Sequence, residues 1–214
     1  NCITEPILTH LFGLTRDMNL PAAVEAMFSG ELINKTEQRA VLHTALRNRS
    51  NVPVMVNQTD VMPAINTELQ RMRLLVEQVR NGDWVGYSGK PITDVVNIGI
   101  GGSNLGPRMV TEALRAYADD RIRVHFISNV DGADISRVLA SISPGQVLFI
   151  VASKTFTTTE TMLNAHTARN WLLAATGEQI ALKHHFIAVS SNRPLAKAFG
   201  IAPENIFTLW DWVG

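Results

Sequence analysis

Residues 95–106 read VVNIGIGGSNLG, a short apolar run that ends in closely spaced glycines. A continuous apolar stretch bounded in this way is the pattern of a strand buried on both faces. Beyond the glycines a helix is expected from about Leu105 to Tyr117. Four more apolar runs repeat the arrangement downstream, at Val124–Ser128, Val147–Ala152, Phe186–Val189 and Ile206–Trp210. Helical patterns lie between them, at Ala133–Ser141, about Thr158–Ala175 and about Leu195–Phe199. Apolar strands alternating with helices imply an α/β fold, with a doubly wound, mainly parallel five-stranded sheet.

Residues 1–89 read differently, as an all-helical segment with connectors. Asn34 and Glu37 have capping-box spacing and predict a helix from about Thr36 to Arg47. A longer helix is expected from about Val61 to Arg80, where Ile65, Leu69, Met72, Leu75 (or Val76) and Val79 recur at helical spacing, and Asn81-Gly82 ends it. No strand is expected before Lys90. The division predicted is therefore a helical segment, 1–89, and a sheet domain, 90–214.

Composition narrows the function. The 214 residues are 46% hydrophobic and 18% charged, the balance of a globular protein. Formal net charge is zero, so no global field favours nucleic acid or an anionic membrane, and any anion site must be local. The single cysteine, Cys2, reads as a bystander thiol, and no Cys/His spacing suggests a metal site. Val147–Ala152, the longest apolar run, is far too short to span a bilayer. With no signal-peptide pattern either, a cytoplasmic location is expected. The strand-like ending around Trp210 and Trp212 differs from the usual polar terminus and predicts further polypeptide beyond Gly214.

Open parallel sheets bind ligands at the carboxyl ends of their strands, near a topological switch point. Two strand-to-helix turns here have the makings of anion cradles. In Gly99–Gly106, glycines let backbone amides approach an oxyanion, the following helix start adds partial positive charge, and Ser103 adds a hydroxyl. In Ser153–Thr161, read as SKTFTTTET, hydroxyls and one lysine crowd a helix start, and these are the donors a phosphate needs. The bland alternatives are a tight packing turn for the first and simple helix capping for the second, where Thr157 and Glu160 have capping-box spacing. A dinucleotide fingerprint fits poorly, because Asn104 occupies the third glycine position and Asp131 lies too far on. Nor is the second turn a P-loop, since Lys154 precedes the hydroxyl run. A small sugar phosphate suits both turns better than a nucleotide.

The strings VVNIGIGGSNLGP, FISNVDG, VASKTFTTTETMLNAH and LWDWVG, with MFSGELINKTEQRAVLHTALRNRS upstream, resemble the glucose-6-phosphate isomerase family in order and spacing. The resemblance implies the sugar-isomerase (SIS), flavodoxin-like fold. It implies interconversion of glucose 6-phosphate and fructose 6-phosphate without metal or cofactor, in a homodimer. It also implies that Gly102, Ser103, Ser153, Lys154, Thr155, Phe156, Thr157 and Thr158 form the phosphate site, with Thr161 as a lesser contributor. Asn104 stands where the family usually has aspartate, and Thr159 where it often has glutamine. The family's catalytic glutamate, histidine, lysine and arginine fall beyond the equivalent of Gly214, so no catalytic residue is assigned within the chain. The remaining alternative is a stand-alone sugar-phosphate-binding regulatory module. His43, His166, His184 and His185 are expected to be structural or solvent-facing, with the last two opening a strand. Trp210 and Trp212 are expected to be core anchors.

Overall fold

A computed structural model describes residues 3–213; Cys2 and Gly214 lie outside the described residues. The chain forms two compact units, one running to Thr67 and taking in the segment from Trp210, the other comprising Glu68–Leu209. Residues 68–89 belong with the sheet because Leu75, Val79 and Trp84 pack in its core.

In the first unit, α1 (Glu5–Asp17) and α2 (Leu20–Ser29) precede a short antiparallel pair, β1 (Met55–Val56) and β2 (Thr59–Asp60), and the start of α3 (Met62–Asn81). That pair was not expected from sequence. Asn57 and Gln58 at positive φ (47° and 64°) form its two-residue turn, a conformation tolerated by asparagine that the sequence does not announce with glycine. The helix expected over 36–47 is absent. The Glu37 amide does donate to Asn34 Oδ1 at 3.1 Å, but the Glu37 carboxylate accepts from Asn34 Nδ2 at 2.9 Å, and the Asn34 amide goes to Arg39 O at 3.1 Å, so only half of the capping box forms. Gln38 then turns to φ 54°, and Asn34 bridges back to Arg39, so the cap closes a tight turn that no helix extends. Only Ala45–Arg47 coil, as a single 3-10 turn. Ala40, Leu42, Ala45, Val61, Met62 and Ile65 form the unit's core, and Trp210 and Trp212 pack against it with rings 5.2 Å apart.

In the second unit, β3 (Asp94–Ile98), α4 (Gly102–Ala113), β4 (Arg123–Ile127), α5 (Gly132–Ser141), β5 (Val147–Ala152), α6 (Thr159–Thr176), α7 (Leu182–His185), β6 (Phe186–Ser190), α8 (Arg193–Phe199) and β7 (Ile206–Thr208) alternate as expected. The sheet is parallel throughout, in the order β4-β3-β5-β6-β7. Val96, Ile98, Phe149, Val151 and Ala188 meet α5, α6 and α8 on one face. Leu148, Ile187 and Phe207 meet Val79 of α3 on the other. β7 stops at Thr208, two residues short of expectation, and Asp211–Val213 turn into a short 3-10 segment.

The amino end of the sheet is tied by polar side chains. Asp94 is fully buried beneath Arg123 and His125, each 2.9 Å from its carboxylate, and Thr93 donates to it at 2.9 Å. Burial alone would raise its pKa, but the bonds from Arg123, His125 and Thr93 outweigh this and hold the carboxyl below its ordinary value. His185, the last residue of α7 instead of the first of a strand, is also fully buried. Its Nδ1–H donates to Val147 O at 2.6 Å, and its Nε2 accepts from the Tyr87 amide at 2.9 Å, which defines a neutral ring.

Burial pushes the His185 pKa down, against the opposing effect of the bond to Val147. A group with a lowered folded pKa contributes stability that is complete above its unfolded pKa and is lost as pH falls below it. For His185 the loss begins below about pH 6.5, and for Asp94 only below about pH 3.9. The urea midpoint should therefore fall between pH 7 and pH 5, and His185→Gln, less stable at pH 7, should lose that part of the slope. A wild-type midpoint flat down to pH 5 would contradict this account.

Candidate functional site

β3 and β5 are neighbours in register, with Ile98 opposite Val151. From β3 the chain steps outward to β4, then returns past β3 to β5 and continues the other way. The crevice between β3 and β5 is therefore the topological switch point, where an open parallel sheet receives its ligand. Both donor-rich turns leave the sheet there.

The first turn is held close to β5. A Cβ added at Gly99 would lie 2.9 Å from Ser103 Cβ and carbonyl and 3.1 Å from Ala152 O, the last carbonyl of β5. Only glycine leaves room for the two strand ends to meet in this way. Asn97 Nδ2 donates to Ser103 O at 3.0 Å and fixes the start of α4 to its own strand. Gly101 and Gly102 are exposed, Ser103 is half-buried, and α4 starts with neither a side-chain cap nor an acidic residue in its first turn. The Ser103 and Asn104 amides turn back to Ile100 O and Gly101 O at 3.2 and 3.0 Å, so what this start offers an anion is the Ser103 hydroxyl, the exposed Gly101-Gly102 backbone and the partial positive charge of the helix end.

The second turn is internally braced. Ser153 is buried; its hydroxyl accepts the Phe156 amide at 3.1 Å and lies 3.3 Å from Thr158 Oγ1. Phe156 holds φ 56°, a costly conformation for a bulky residue, and its ring is locked in the core 5.9 Å from Phe199. Phe156 thus serves as the anchor of the turn, and its amide is already used. Thr155 and Thr157 are exposed and share a hydrogen bond of 2.6 Å. Thr157 is accordingly not the helix cap its spacing suggests. Thr158 is the N-cap, and no side chain caps α6. Lys154 is half-buried; its carbonyl accepts from Ser190 Oγ at 3.0 Å and from the Ser191 hydroxyl and amide at 2.7 and 2.9 Å. Asn192 Nδ2 donates to Thr155 O at 3.1 Å. Thr161 is buried in the first turn of α6.

Gly102, Ser103, Ser153, Lys154, Thr155, Thr157 and Thr158 therefore lie on two turns that leave adjacent strands at the same, carboxyl end of the sheet. The braces Asn97, Ser190, Ser191 and Asn192 were missed from sequence. A polar Ser-Ser-Asn cluster ending the β6 strand was the available signal. Asp131, the candidate ribose ligand of the dinucleotide reading, is the N-cap of α5, accepting the Ala133 amide at 2.9 Å.

Among the described residues, no group of histidine, cysteine or acidic side chains could hold a metal ion, and no helix is long and apolar enough to cross a membrane. Gly99→Ala should force the turns apart, at a cost of about 1–3 kcal/mol typical of overpacking. Chemical denaturation reads this directly; an unchanged midpoint would mean that the two strand ends are not in contact as described.

A family model described as phosphoglucose isomerase matches residues 1–214, so the chain belongs to the phosphoglucose isomerase family. It is similar to the structure of a glucose-6-phosphate isomerase from Chlamydia trachomatis, at 28% identity and a TM-score of 0.81, over 99% of this chain and 40% of that one. It is also similar to a hypothetical protein from Thermus thermophilus, at 25% identity and a TM-score of 0.55, over 69% of this chain and 33% of that one. The chain thus spans well under half the length of both.

Proposed function

We propose that this chain is the sugar-phosphate-gripping part of a glucose-6-phosphate isomerase, in which glucose 6-phosphate and fructose 6-phosphate interconvert. The observation that carries the reading is the pairing of two uncapped, donor-rich helix starts on adjacent strands at the switch point. The phosphate sits between the Gly102-Ser103 turn and the Ser153–Thr158 turn, with Lys154 as the main charged contact and Thr161 in a lesser role.

Aldose–ketose exchange moves a proton between C1 and C2, which requires a base within hydrogen-bond reach of the carbon acid. The turns offer amides, hydroxyls and an ammonium, suited to the phosphate at the far end of the sugar. Their contribution to rate is positional: phosphate binding energy holds C1 and C2 against the acid–base groups. We propose that those groups lie outside residues 1–214, that the whole enzyme is a homodimer, and that the five-stranded sheet carried by residues 90–214 is the core of its first SIS domain.

An ion pair at about 4 Å in a partly screened site is worth about 4 kcal/mol before desolvation is subtracted. Lys154→Ala should therefore weaken fructose 6-phosphate binding roughly tenfold or more, and exposed Thr159→Ala only marginally, in a calorimetric titration. Equal effects would mean that the second turn is misassigned. Residues 1–214, with longer protein excluded by mass spectrometry, should show no isomerase turnover in a coupled assay. Turnover above background would place a base within these residues and overturn that part of the proposal.

A further inference from the structure

Residues 84–91 join α3 to β3 as a strap with pinned ends and an exposed tip. Trp84 Nε1 donates to His184 O at 2.9 Å at one end, and Gln146 Nε2 donates to Pro91 O at 3.2 Å at the other. Between them Tyr87, Ser88, Gly89 and Lys90 are exposed. The tip is tied down where the Tyr87 amide donates to His185 Nε2 at 2.9 Å and Ser88 Oγ to Gly145 O at 3.0 Å. Gly86 brings it into direct contact with the imidazole: a Cβ there would lie 2.2 Å from Gly145 O and 2.7 Å from His185 Cε1. Only glycine permits so close a seat.

One proton abolishes the Tyr87–His185 bond. An imidazolium has two donors and no acceptor, so a second proton on His185 would set an N–H against the Tyr87 N–H. The ring is fully buried and its other nitrogen is fixed to Val147 O at 2.6 Å, so the exposed tip is the part free to move. Little around the ring would stabilise its charge. β5 and residues 144–146 carry no ionisable side chain, α7 brings Lys183 and His184, and the strap brings Tyr87 and Lys90. The carboxylates nearby, Asp83 and Glu204, line a surface cleft with Lys183 and His184. We infer that the strap is an acid-opened latch: protonation of His185 releases residues 86–90 from β5 and α7 while the five-stranded sheet stays folded. Burial and the neighbouring His184 both disfavour the charged ring in the closed state, and release of the tip lets water reach it. The latch lies at the amino end of the sheet, and the inference is independent of the sugar-phosphate reading.

Amide hydrogen exchange on the whole chain, resolved by NMR between pH 7 and pH 5, tests this. After correction for intrinsic rates, protection of the Tyr87 amide should fall about tenfold per pH unit below about pH 6.5, the dependence of an opening that takes up one proton. At pH 5 Tyr87 should exchange faster than Val96 and Phe149, and low urea should accelerate those two but not Tyr87, because a local opening exposes little surface. His185→Gln keeps an acceptor for Tyr87 and a donor for Val147 without titrating, so Tyr87 protection in it should be flat across the range. His184→Gln and Asp83→Asn should retain the wild-type pH dependence. Protection of Tyr87 that is independent of pH in the wild type would overturn the inference. So would Tyr87 exchanging at the rate and urea dependence of Val96 and Phe149, which would mean that the sheet opens with the strap. A pH dependence that survives His185→Gln, or vanishes in His184→Gln or Asp83→Asn, would assign the proton to another group. Should His185→Gln fail to fold, the wild-type profile and the other two variants still decide.

Discussion

The in-register pairing of β5 with β3 is the constraint on which the sheet domain depends. β5 is an interior strand, bonded to β3 on one side and β6 on the other, and its residues feed the cores on both faces. Side chains alternate along a strand, so a slip of one residue would send Phe149 and Val151 to the wrong core and Leu148 to the other. The same register decides where the turns emerge. With Ile98 opposite Val151, Gly99 and Ala152 reach the edge of the sheet together, and the two donor-rich turns rise side by side. Core packing and ligand geometry are thus two consequences of one alignment.

The two ends of the sheet are treated in opposite ways. At the amino end, buried polar groups find protein partners: Asp94 is bonded by Arg123, His125 and Thr93, and His185 uses both ring nitrogens. At the carboxyl end, α4 and α6 begin without side-chain caps, and a strained Phe156 backbone is held in place by a buried ring and the Ser153 hydroxyl. Strain and unmet hydrogen bonding cost stability and persist only where surrounding structure enforces them, which is the usual signature of a ligand site. The amino end supports the fold, and the carboxyl end presents groups to something else.

The α/β alternation was legible because each strand is apolar and each following helix begins at a turn of glycine, hydroxyl or amide residues. The two anion turns were legible for the same reason, since their donors are consecutive in sequence. Less visible were features that depend on distant residues. The Asn34–Glu37 pair formed only one of the two capping-box bonds, the Asn34 amide turned to Arg39 O, Gln38 reversed the chain and no helix followed. Spacing marked Thr157 as a cap, but its hydroxyl turned to Thr155. Asn97, Ser190, Ser191 and Asn192 brace the turns through contacts set by sheet order, which a linear reading does not contain. The composition change near residue 90 was plain, but Leu75, Val79 and Trp84 join the sheet core across it.

The central claim is that both turns bind one phosphate group. Backbone amide chemical shifts, followed as inorganic phosphate is added to the uniformly labelled protein, test it most directly. The account predicts that Gly102 and Ser103 shift together with residues 154–159 and saturate on a single binding curve, while amides at the Asp94 and His185 end stay still. Shifts confined to one turn, or the two turns titrating with different midpoints, would contradict it.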